Sequence, residues 1–151
     1  MPVGFSQLPI LNLITSICVL VLWFKYFAVV VMGHNNSQTN DSSVKDDEKL
    51  ITDNKNNTSN PDEKRWWYIA LNDIENIPMA LILYYGAYIS VARNSQGILA
   101  LMILLPIFTL SRIIHSFAFA KSMLYLRGGC HFISLACIIS FGLTAIISNL
   151  I

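Results

Sequence analysis

Four formal charges interrupt the otherwise apolar stretches of this chain: Lys25, Asp73, Glu75 and Arg112. A charged side chain in mid-bilayer costs about 2.5–3.5 kcal/mol on insertion scales, so such residues pair with one another or serve a site. Two cations and two carboxylates cancel, which makes pairing feasible. Asn72, Glu75 and Asn76 are spaced i, i+3, i+4 and share one helix face, with Asp73 about 100° around the same helix. Arg112, His115 and Phe119 fall on one face in the same way. Two such faces describe one buried polar site. Arg offers a planar fork for carboxylates, while Asn and Glu hold amide and ammonium groups. That inventory suits a zwitterionic, peptide-like molecule. The other reading is structural: polar contacts between helices, worth about 0.6–2 kcal/mol each, fix the register of a bundle. Lys25 divides the same way, as a ligand contact or as a partner for Asp73 or Glu75. His115 is a proton carrier or a hydrogen-bonded structural histidine.

The elements that must position these residues are long and apolar. A membrane span needs about 20 such residues, and four stretches qualify, at about 8–32, 66–92, 97–120 and 129–151. The second opens on Trp66, Trp67 and Tyr68, which suit the headgroup boundary. Pro78 and Pro106 are expected to kink their helices. The chain is 54% hydrophobic and 13% charged, against about 45–50% and 25% in soluble domains. Residues 41–65 alone hold seven of the nine acids and five of the ten bases. Segment 33–65 is therefore expected to be a polar loop that cannot bury enough surface to order itself. The fold class predicted is all-α, a single integral membrane domain over 1–151 built as a four-helix bundle.

A net charge of +1 with no basic stripe excludes nucleic acid as a partner. Cys18, Cys130 and Cys137 form no CxxC pair and no metal-spaced cluster, and read as small packing residues. The N-terminus lacks a basic n-region and a small-residue cleavage site, so the first apolar segment is expected to remain as a helix. Lys45, Lys49, Lys55, Lys64 and Arg65 lie in the first loop, Lys121 and Arg127 in the third, and only Arg93 in the second. The positive-inside rule places the first and third loops in the cytosol. Sequons at Asn40 and Asn57 would argue the reverse, but an Asn-rich loop makes sequons by chance.

Leu71-Asn72-Asp73-Ile74-Glu75-Asn76-Ile77-Pro78 resembles the N-D-x-E-N run in the second helix of the membrane-associated proteins in eicosanoid and glutathione metabolism. Arg112-Ile-Ile-His115-Ser-Phe-Ala-Phe119 is similar to that family's R-x-x-H-T-x-A-Y in the third helix, and Lys25 and Arg127 match as well. The likeness covers about residues 8–150 without the loop. It implies a homotrimer in the endoplasmic reticulum membrane, with glutathione as co-substrate and a lipophilic substrate entering from the bilayer. The implied activity is that of a glutathione transferase or peroxidase acting on lipophilic electrophiles or lipid hydroperoxides. The rival on the same fold is a non-catalytic lipid-binding scaffold. The resemblance assigns glutathione binding to Asn72, Glu75, Arg112, His115 and His131, and stabilisation of the thiolate to Arg127. No metal is implied. The chain departs from the pattern at Tyr68-Ile69-Ala70, where the family has R-A-H, at Phe119, and at His131, the last two near positions where the family has tyrosine.

Overall fold

The computed structural model describes residues 4–43, 61–91 and 95–150, with side chains over 7–35, 66–91 and 96–150. Its regular elements are four long helices: α1 (Gly4–Ser43), α2 (Pro61–Ser90), α3 (Ser95–Ala120) and α4 (Leu124–Leu150). Gln7–Asn35, Gln96–Ala120 and Leu124–Leu150 are long and apolar enough to cross a membrane. α2 has the length, at 30 residues or about 45 Å. Asn72, Asp73, Glu75 and Asn76 hold its hydropathy down.

The helices outrun the expected spans. α1 continues through the polar residues 33–43 and α2 begins at Pro61 rather than Trp66, which corrects the expected loop of 33–65. Once a helix is nucleated, each further residue adds a hydrogen bond at small cost. Proline at the first position of α2 also loses no helical donor. Residues 44–60, with the Asn57 sequon, and Arg93 lie outside the described residues.

α2 packs against all three other helices, whereas α1 and α4 do not touch among the described residues. The order around the bundle is α1, α2, α4, α3, with α2 and α3 meeting across the diagonal. Side-chain hydrogen bonds pair Lys25 with Asp73, Thr15 with Tyr84 and Asn12 with Tyr88, which sets α1 and α2 antiparallel. The core is built on Tyr84, Phe108 and Phe141, with ring centroids 5.4 Å apart for Tyr84–Phe141 and 6.3 Å for Phe108–Phe141. Leu11, Leu22, Ile98, Leu101 and Leu105 fill around them. The outside is as apolar as the inside: Trp23, Phe24, Ile82, Ile89 and Phe132 are each at least 66% exposed. Such a surface aggregates in water and is satisfied in hydrocarbon.

α3 turns into α4 within three residues. Met123 N–H donates to Ala118 O at 2.9 Å and Ser122 N–H to Phe119 O at 3.1 Å, the paired bonds of a Schellman cap. Ser122 takes the left-handed conformation this cap requires, at φ 59°. α4 therefore starts at Leu124 rather than near Gly129, and Arg127 lies in its first turn rather than in a loop.

Candidate functional site

Asp73 is the hub of the intramembrane charges. It is 1% exposed. Lys25 Nζ of α1 donates to both its carboxylate oxygens, at 2.7 and 2.6 Å. Arg112 Nη2 of α3 donates to Oδ1 at 2.7 Å. The same nitrogen donates to the Asn72 carbonyl at 3.2 Å and to the Asn72 side-chain oxygen. One carboxylate thus ties three helices together. Two cations against one carboxylate leave this buried group with a formal charge of +1. Glu75 does not join it: Glu75 is exposed and, among the described residues, makes no ion pair.

Helix geometry explains the division. Successive residues turn by about 100°, so α2 presents Asp73 to α1 and α3 while Tyr68, Leu71, Asn72 and Glu75, at i, i+3, i+4, i+7, line another face. That face forms one wall of a cleft of about 510 Å³. The remainder is His115 and Phe119 of α3 with Arg127, Gly128 and His131 of α4. The cleft lies toward the end of the bundle where α3 turns into α4. Its size falls within the range of small-molecule sites, about 300–1,000 Å³.

Of the six residues singled out in the sequence, Asn72, Glu75, His115, Arg127 and His131 line this one cleft. Arg112 stands behind it, fully buried, with one hand on Asn72 and Asp73. Its Nε and Nη1 are buried without a hydrogen-bond partner among the described residues. So is Nδ1 of His115, a side chain only 3% exposed. Buried polar atoms of this kind carry a desolvation cost of about 1–3 kcal/mol unless something pairs with them. Of these, His115 lines the cleft itself, and Arg112 reaches it only through its bonds to Asn72.

Charge and shape are distributed unevenly around the cleft. Arg127 lays its guanidinium over the Phe119 ring, 4.8 Å from the centroid, and forms no ion pair among the described residues. The His115 and His131 rings bridge α3 and α4 with centroids 6.3 Å apart. Glu75 is the only carboxylate in the lining. The arrangement offers an anion acceptor for an ammonium, a free guanidinium for a carboxylate or thiolate, an amide and two imidazoles. Leu71 and Gly128 were not singled out in the sequence. The signal for Leu71 was its place three residues after Tyr68 and four before Glu75 on one face of α2; Gly128 carries no signal of its own.

A second, apolar groove of about 370 Å³ runs between α1 and α2, lined by Leu22, Trp23, Tyr26, Ile74, Ile77, Pro78 and Leu81 with Asp73 at its edge. Cys18, Cys130 and Cys137 are buried free thiols. Among the described residues no group of three or more metal-ligating side chains forms.

No individual curated protein matches the chain. A model of the MAPEG family does, over residues 10–147. That match spans all four helices, the Asp73 hub and every residue of the cleft, and the chain belongs to the MAPEG family, as an integral membrane protein.

Proposed function

We propose that the chain is a membrane-bound glutathione transferase or peroxidase whose glutathione site is the cleft between α2, α3 and α4. The observation that carries this reading is the composition of that cleft. Glutathione bears one ammonium, two carboxylates, two amides and a thiol. Glu75 suits the ammonium, Asn72 an amide, and the unpaired Nδ1 of His115 a carboxylate, with Arg112 bracing Asn72 from behind. Arg127, which forms no ion pair among the described residues, suits the sulfur. A thiol is a weak nucleophile until it loses its proton, and a guanidinium beside it favours the thiolate.

In the transferase reaction the thiolate attacks the electrophilic carbon. The C–S bond forms as the bond to the leaving group breaks, and that group departs with its electron pair and accepts a proton. In the peroxidase reaction the thiolate attacks a peroxide oxygen and releases an alkoxide, which is protonated to the alcohol. The resulting sulfenic acid condenses with a second glutathione to give the disulfide and water. Lipophilic substrates reach the site through the apolar exterior. A homotrimer, with a neighbouring copy closing the lipid-facing side of the cleft, and residence in the endoplasmic reticulum belong to the same reading.

The scaffold reading draws on Tyr68, Leu71 and Phe119, which make much of the lining apolar. Turnover separates the two. Purified protein supplied with glutathione and either an aryl halide or a fatty-acid hydroperoxide is expected to form conjugate or alcohol. Glu75→Ala and Arg127→Ala each remove a charge-assisted contact worth about 1.5–3 kcal/mol, and are expected to lower kcat/KM about 10–100-fold. Lipid binding by a folded protein that turns over neither substrate would establish the scaffold instead.

A further inference from the structure

We infer that His131 accepts the thiol proton in this cleft, so that nucleophile activation is divided between a cation and a base on one face of α4. The inference rests on the proposed glutathione site.

Arg127 and His131 are four residues apart on α4, and side chains so spaced are neighbours, with Cβ atoms about 5–6 Å apart. Both line the cleft. A ligand seated in the cleft is therefore flanked by both side chains. The two tasks need different groups. A guanidinium stabilises a thiolate but cannot accept its proton, because it is itself always protonated. An imidazole can accept it at neutral pH.

The choice between the two imidazoles follows from burial. His115 is only 3% exposed, so a proton placed there exchanges less readily than one on an exposed ring. His131 is exposed at the cleft, so it can exchange its proton between turnovers. The unpartnered Nδ1 of His115 instead marks it as a hydrogen-bonding group for ligand. The charged and titratable groups around the imidazole pair are Arg127 on α4, Arg112 on α3 with the Lys25–Asp73 pair behind it, and Glu75 and Tyr68 on α2. Glu75 is the one unpaired carboxylate among them, and its negative charge offsets the imidazolium formed when His131 is protonated.

The step balances without a further reactant. The S–H bond breaks, its proton passes to a His131 ring nitrogen, and the electron pair stays on sulfur. After attack, the same proton goes to the leaving group or to the alkoxide released from the hydroperoxide, which restores neutral His131.

The test is the ultraviolet absorbance of bound glutathione thiolate across pH, with binding measured in parallel by calorimetry. The variants are His131→Phe and His131→Tyr; the side chain is exposed, so both are expected to fold. Wild type is expected to form thiolate at neutral pH. Both variants are expected to retain saturable glutathione binding, weakened by the one lost contact, and to need more alkaline solution for thiolate. Their kcat is expected to fall by about 100-fold, with a smaller change in KM, the usual size of a general-base effect. Variants that bind glutathione and form thiolate at the wild-type pH would overturn the role of His131 and leave the binding site intact. Absence of glutathione binding by wild type would overturn the site itself, and the inference with it.

Discussion

Asp73 and Glu75 are two residues apart on α2 and serve opposite ends. Asp73 sits between the buried Arg112 and the partly buried Lys25, and removing one partner from such a group costs about 3–5 kcal/mol because the other charges remain unpaired. Asp73→Asn is therefore expected to lower the thermal unfolding temperature in detergent sharply, and Lys25→Met in the same background to restore part of the loss. Glu75 is exposed and unpaired among the described residues, so Glu75→Gln is expected to change stability by no more than about 0.5 kcal/mol while weakening glutathione binding. Equal destabilisation by the two changes would contradict the separate roles. The polar faces of α2 and α3 were legible in the sequence, because i, i+3, i+4 spacing survives any context. The partner of Lys25 was not. Asp73 and Glu75 lie about 200° apart around α2, and only the rotation of the packed helix decides which of them meets α1. Arg112 was legible as a site residue but not as one held behind the wall, since its length lets it end in either place.

At the scale of elements, two positions are set by backbone geometry. Ser122 occupies the left-handed position of the cap between α3 and α4, a conformation that costs a residue with a Cβ about 1–2 kcal/mol. Ser122→Gly is expected to raise the unfolding temperature, and Ser122→Val to lower it, in the same detergent assay. Gly97 lies where α2, α3 and α4 converge. A Cβ there would stand 2.5 Å from Val91 Cγ1 and 3.0 Å from Ser148 Oγ. Gly97→Ala is expected to cost about 1–3 kcal/mol through overpacking, and an unchanged melting curve would show that the three helices are less closely joined. Apolar runs located the helices but not their ends. α1 and α2 run on through polar sequence, and the start of α4 depends on a cap formed by a serine, where glycine would have been the readable signal.

For the whole molecule, hydropathy announced a membrane protein, and the spacing of motifs announced its family. Neither carries the order of helices around the bundle, because lipid-facing and helix-facing apolar residues look alike in sequence. The diagonal contact of α2 with α3 therefore emerges only from the structure. The distribution of Lys and Arg predicts that the first loop is cytosolic, so protein from eukaryotic membranes is expected to show no glycosidase-sensitive mass at Asn40 or Asn57. A mass shift on treatment would reverse the orientation.

The proposed role of the cleft of Asn72, Glu75, His115, Arg127 and His131 is to hold glutathione. Titration calorimetry of glutathione into the detergent-purified protein tests it most directly, with Glu75→Ala and Arg127→Ala alongside. Saturable binding by wild type is expected, weakened about 10–100-fold by each substitution. No binding at millimolar glutathione by a protein shown to be folded, or binding indifferent to both substitutions, would contradict it.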